Sequence, residues 1–127
     1  MNGHQFEEES SIAISAFYNV YNKLGYGFLE KVYEHALYLE LLKYSVACKR
    51  QFPIKVFYEG NEVGNYFADL VINETLIIEI KAAEGICDEH EAQLLNYLKA
   101  TDIEVGLLFN FGKRAEFKRK IFENRFK

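Results

Sequence analysis

Cysteine and proline are scarce, and long apolar runs are absent. Only two cysteines occur in 127 residues, Cys48 and Cys87, too few for a disulfide framework or a zinc-ribbon quartet. They read as reduced thiols, and the expected compartment is the cytoplasm. No stretch approaches the roughly 18 apolar residues of a membrane span. The opening MNGHQFEEES is acidic where a secretory signal needs a positive flank, so no membrane partner is expected. No serine, cysteine or histidine constellation supports a covalent nucleophile. Gly25 and Gly27 lack the Gly-Lys-Ser/Thr ending and the preceding strand of a phosphate loop. There is no repeat, low-complexity segment or linker. With 50% hydrophobic and 27% charged residues, the expectation is one globular domain over residues 1–127.

The net charge of -4 argues against a protein that coats nucleic acid through bulk electrostatics. The balance is uneven. Residues 1–112 hold 8 basic against 17 acidic side chains, whereas residues 113–127 hold 7 basic against 2 acidic. The basic end (Lys113, Arg114, Lys118, Arg119, Lys120, Arg125, Lys127) fits a solvated face on a terminal helix or a phosphate-backbone contact.

Hydrophobic spacing predicts a helix capped by Ser10 or Ser11 and running to Lys23, then a break at Leu24-Gly25-Tyr26-Gly27. A second helix is expected from Phe28 to Tyr44. Short β-branched and aromatic runs follow: Val46–Cys48, Ile54–Tyr58, Val63–Ile72 and Leu76–Ala82, with turns at Glu59-Gly60-Asn61 and Asn73-Glu74-Thr75. Pro53, the only proline, is placed at a strand entrance. A third helix from Asp88 to Ala100, a strand from Val105 to Phe111 and a basic helix from Lys113 to Phe126 complete the chain. The crossover helix before the last strand favours a mixed sheet covered by helices.

Three acids break this pattern. From Leu76 to Ala82, residues Leu76, Ile78, Ile80 and Ala82 point one way and Ile77, Glu79 and Lys81 the other. Asp69 shares a face with Phe67 and Val71. A turn centred on Glu74 puts Asp69 opposite Glu79, with Cβ atoms about 4.5 to 5.5 Å apart. Like charges so placed repel unless a hard divalent cation, Mg²⁺ or Mn²⁺, sits between them. A solvent-facing edge strand with a Glu–Lys pair reads the same from periodicity. On the second helix Glu30 falls on the stripe of Tyr26, Tyr33, Leu37 and Leu41, while Lys31 and Glu34 leave it. Such an acid is either a satisfied core carboxylate or a site residue. On the third helix His90, Gln93 and Tyr97 form a stripe beside the leucines, marking either a site or its solvent boundary, with His90 the weakest member.

Gly27-Phe-Leu-Glu30-Lys-Val-Tyr33, Asp69 followed by Glu79-Ile80-Lys81, and Gln93-Leu-Leu-Asn-Tyr97 stand in that order. In this the chain resembles the PD-(D/E)XK nuclease superfamily, and within it the small branch called GxxExxY proteins. The likeness spans residues 12–122; Ala68 stands before Asp69 where the named pattern has proline. The resemblance implies an α/β, restriction-endonuclease-like αβββαβ core, a mixed β-sheet flanked by helices. It implies Glu30, Asp69 and Glu79 as metal-binding carboxylates for Mg²⁺ or Mn²⁺, with the Ile80 carbonyl as a further ligand. Lys81 would orient or activate the attacking water and offset charge developing on the phosphate, and Gln93 and Tyr97 would position the substrate or the general-base region.

The function expected on this basis is metal-dependent hydrolysis of phosphodiester bonds in DNA or RNA. The alternative is a catalytically idle nuclease-like domain that binds a nucleic acid or a protein partner. The intact acids, Lys81 and Gln93 favour the first; the acidic balance and the lack of binding loops favour the second. An added recognition domain is not expected in so short a chain, nor is sequence-specific cutting. The 16% aromatic content leaves room for a homodimer surface.

Overall fold

A computed structural model describes residues 3–127, with side chains from residue 7 onward. The elements are α1 (Gly3–Leu24), α2 (Glu30–Leu41), β1 (Cys48–Tyr58), β2 (Asn61–Ile72), β3 (Leu76–Lys81), α3 (Asp88–Lys99), β4 (Val105–Phe111) and β5 (Ala115–Ile121). Single 3₁₀ turns follow α2 and β5, at Leu42–Tyr44 and Asn124–Phe126. The five strands lie in the order β1-β2-β3-β4-β5, antiparallel except for the parallel pair β3–β4 that α3 connects. This is the mixed α/β sheet that the crossover helix implied.

Helices cover both faces. Phe17 from α1 and Tyr33, Leu37 and Leu41 from α2 pack on Leu70, Ile72, Ile78, Ile80, Phe109 and Phe111. On the other face Leu94 and Leu98 of α3 meet Ile54, Ala68, Val71, Ile77 and Leu108. Strand β4 is buried along its whole length, in keeping with a sequence that is apolar apart from Asn110.

The sequence reading requires several corrections. The basic segment is not a helix: Ala115–Ile121 is a strand antiparallel to β4. Lys, Arg and Glu favour helix in isolation, but β4 is a buried strand whose backbone groups need partners, and pairing outweighs propensity. Long charged side chains also suit an edge strand. Helix α1 starts well before Ser10, whose buried hydroxyl lacks a hydrogen-bond partner, so neither serine caps it. Helix α2 begins at Glu30 rather than Phe28. The expected strand Val46–Cys48 contributes only Cys48: β1 runs without a break from Cys48 through the expected Ile54–Tyr58, with Pro53 in its middle opposite Phe67. Proline is tolerated there because β1 is an edge strand with one side free of ladder bonds.

Candidate active site

Strands β2 and β3 pair from Ile72↔Leu76 to Leu70↔Ile78, and the next pair in register is Asp69 with Glu79. There the backbone ladder ends and the two carboxylates take over. The Asp69 N–H donates to Glu79 Oε2 at 2.8 Å, and the Ile80 N–H donates to Asp69 Oδ2 at 2.7 Å. Each acid is thus fixed by the other strand's backbone. In an extended strand the N–H and C=O of one residue leave the same edge, so the Ile80 carbonyl faces this opening as well.

On the other side of β2 the ladder with β1 also skips Asp69. Arg50 pairs with Leu70 and Phe52 with Ala68, leaving Gln51 as the residue opposite Asp69. Gln51 has φ 50°, a left-handed conformation in the midst of a strand. Both strands change sides here. Phe52 and Ala68 pack toward α3, whereas Cys48 and Leu70 pack toward α1 and α2. Strict alternation therefore fails at Asp69: Val71 lies in the same cluster as Ala68, and Phe67 is exposed, so the three-residue face Phe67-Asp69-Val71 does not form.

Burial and like charge act on the pair. Glu79 is only 4% exposed, and burial followed by the charge of Asp69 pushes its carboxyl up to about 8. Burial also raises the Asp69 carboxyl, and Glu34 and Glu30 add to the effect. The Ile80 N–H and Lys81 oppose it.

Lys81 Nζ donates to Gln93 Oε1 at 3.2 Å, joining β3 to α3. One turn further along α3, burial first and then the charges of Glu79 and Asp69 push the Tyr97 hydroxyl up to about 12. Gln93 and Tyr97, two members of the expected His90-Gln93-Tyr97 stripe, thus face Lys81 and the acid pair. His90 does not join them: its Nδ1 accepts the Cys87 N–H at 3.2 Å and closes the first turn of α3. Beyond Lys81 the chain is held by Asn110, fully buried, which accepts the Ala83 N–H and donates to the Ala83 carbonyl.

The loop before α2 explains the glycines. Gly25 and Gly27 have φ +66° and +109°. Buried Tyr33 clasps this loop, its hydroxyl donating to the Gly25 carbonyl at 2.8 Å and accepting the Phe28 N–H at 3.2 Å. Its ring stacks on Phe111 at 4.1 Å. Glu30 is thereby presented as the first residue of α2, on an exposed rim rather than within a stripe of aromatics and leucines. Its charge still reaches both Asp69 and Glu79.

The inward acid of α2 is Glu34, 4% exposed, which the helical-wheel reading had placed off the stripe. Gln51 Nε2 donates to it at 2.7 Å, and Arg50 Nε and Nη2 donate at 3.3 Å each. Tyr33, Leu37 and Leu41 set the rotation of the helix, and Glu34 lies beside Tyr33 and three residues before Leu37. That spacing was the signal available for it. Nothing local in the sequence marked Arg50 and Gln51.

Among the described residues no three His, Cys, Asp or Glu side chains cluster closely enough to enclose a metal ion. The donor set nonetheless fits a hard divalent cation. Mg²⁺ typically takes one or two carboxylates and keeps several waters. Asp69 and Glu79, each with one oxygen engaged by a backbone N–H, offer their other oxygens beside the Ile80 carbonyl, with Glu30 at the rim.

A mixed sheet covered by helices on both faces, parted where two acids cross-bond, with a lysine two residues beyond the second, defines a restriction-endonuclease-like α/β domain. The family model of the PD-(D/E)XK nuclease superfamily matches residues 7–120. The chain belongs to that superfamily. Among solved structures it is similar to the crystal structure of SSO0001, at 21% identity and TM-score 0.57, over 92% of this chain and 59% of that one. At that identity the likeness is one of fold, and this chain spans little more than half the length of its counterpart. No curated protein matches. No helix among the described residues is long and apolar enough to cross a membrane.

Proposed function

We propose that the protein is a Mg²⁺- or Mn²⁺-dependent nuclease of the GxxExxY branch, acting in the cytoplasm and hydrolysing phosphodiester bonds of nucleic acid. The observation that carries the reading is the cross-bonded pair Asp69–Glu79 in the parting between β2 and β3, two carboxyls raised by burial first and then by neighbouring acids, Asp69 acting on Glu79 and Glu34 and Glu30 on Asp69. Such a pair is costly unless a cation offsets it. Asp69, Glu79 and the Ile80 carbonyl would hold the ion, with Glu30 closing the set from the rim. When bound, the cation supplies a neutral-pH water nucleophile and a clamp for phosphoryl charge.

The residues around the pair do the rest. Lys81, steadied by Gln93, sets a positive charge where the phosphate lies and helps to orient the water. The water oxygen bonds to phosphorus as the bond from phosphorus to the ester oxygen breaks; the attacking water gives up a proton to solvent, and the departing oxygen takes one from solvent. Tyr97, a phenol protonated at neutral pH, can donate a hydrogen bond to the substrate.

The exposed position of Glu30 favours the second reading, a nuclease-like domain that binds nucleic acid or a protein without cutting. Titration of Mn²⁺ or Mg²⁺ into wild type and Glu79→Ala, with cleavage of single- and double-stranded substrates followed in parallel, separates the two. Metal-dependent cleavage that falls at least 100-fold in the variant supports the nuclease. Equal metal affinity and equal background cleavage leave only the binding module.

A further inference from the structure

A groove of about 900 Å³ lies between the far end of the β1–β2 hairpin and α3, within the size range of ligand sites. Gln93 and Tyr97 form part of its wall, so it adjoins the candidate site: Gln93 accepts a hydrogen bond from Lys81, and the charges of Glu79 and Asp69 act on Tyr97. Its opposite wall carries aromatic surface that the fold leaves uncovered: Phe57 is 59% exposed and Tyr66 50%. Tyr66 stands 5.9 Å from the Tyr97 ring, centroid to centroid. Gly64 also lines the groove and leaves room for the Tyr66 ring, since a Cβ there would meet Tyr66 Cε2 at 3.1 Å. Lys55 lines the groove and is held only by an exposed 3.8 Å pair with Glu62.

We infer that this groove is a stacking subsite for an unpaired nucleobase next to the scissile phosphate, and that the preferred substrate is a single-stranded or frayed nucleic acid. The inference rests on the nuclease reading and names its substrate class. Three observations select this occupant: continuity with Gln93, which holds Lys81, an aromatic wall, and a cation at the edge, Lys55, whose ion pair among the described residues is exposed and long. Bases within a duplex bury their faces on one another, so only an unpaired base can offer a π-face to Tyr66 or Phe57. A neighbouring phosphate then lies within reach of Lys55.

Binding of a fluorescein-labelled single-stranded oligonucleotide, in DNA and RNA versions, can be followed by anisotropy in a Glu79→Gln background, where the strand stays intact. Tyr66→Ala should weaken binding about tenfold and Tyr66→Phe less than about twofold. Gly64→Ala, whose Cβ would crowd the ring edge at 3.1 Å, should weaken binding less than Tyr66→Ala. Moving a single abasic site along the strand should reveal one position that costs a similar factor. The abasic loss and the Tyr66→Ala loss should not add. A blunt duplex should be insensitive to Tyr66. Losses that add, the absence of any sensitive abasic position, or an equal loss for duplex would overturn the subsite; a groove that takes a protein segment would give the second result. Cleavage by the Glu79-intact protein with Mn²⁺ is scored separately. Coupling without cleavage would refute the hydrolytic reading while leaving the base-stacking subsite standing.

Discussion

At Glu79 the folded chain holds a carboxyl whose ionised form it disfavours, and the sign of the consequence is fixed. The group titrates near 4.5 when unfolded and near 8 when folded, so the folded state binds its proton more tightly. Its contribution to stability is fully present below about pH 4.5 and is lost as pH rises toward 8. Metal-free protein should therefore lose stability across that window, by an amount on the order of a few kcal/mol. Glu79→Gln, which still accepts the Asp69 N–H, should flatten the curve; urea denaturation at pH 5 and pH 8 measures both. Tyr33→Phe tests a different residue. It removes the hydroxyl that satisfies Gly25 and Phe28 and should cost about 1–3 kcal/mol in denaturant melts. It should also lower cleavage, because Glu30 is placed by that loop. Asp69, Glu79, Lys81, Gln93 and Tyr97 were legible because charges and amides at fixed spacing interrupt an apolar pattern. Glu34 was not, because the rotation of α2 about its axis follows from its packing against the sheet.

Helix α3 packs tightly on β4 where Gly106 meets Leu94. A Cβ on Gly106 would meet Leu94 Cδ1 at 2.6 Å, so Gly106→Ala should destabilise the protein by about 1–3 kcal/mol. Because Leu94 follows Gln93 on α3, the same substitution should reduce cleavage more than the stability loss accounts for, seen by comparing kcat with the folded fraction. Strand β5 shows where local reading fails. Its residues alternate, with Phe117 and Arg119 on the α1 face and Lys118 and Lys120 on the α3 face, where Lys120 pairs with Glu91. That period-two pattern was present in the sequence, but the helix preference of Lys and Arg obscured it. The buried strand beside it decided the outcome. The unbroken course of β1 from Cys48 to Tyr58 has a similar origin: Pro53 reads as a boundary until the strand is known to lie at the sheet edge.

For the molecule as a whole, binding of a cation should be read out as stability. Mg²⁺ or Mn²⁺ should raise the unfolding midpoint at pH 8 and much less at pH 5, where protons already neutralise the pair. Thermal melts with and without EDTA check this, and Glu79→Gln should abolish most of the difference. A metal-independent midpoint at pH 8 would count against the acid pair as a cation site. Sequence by itself determined the order of helix, hairpin, strand, crossover helix and strand, because hydrophobic periods and turn residues are local. It also determined that Asp69 and Glu79 must meet, because a short turn fixes the register of two antiparallel strands. Tertiary structure alone decided which acid of α2 turns inward, that the basic end pairs with β4, and that both edges of Asp69 lose their ladder bonds. Those outcomes depend on contacts between segments far apart in the chain, where packing and backbone hydrogen bonding outweigh the preferences of any one stretch.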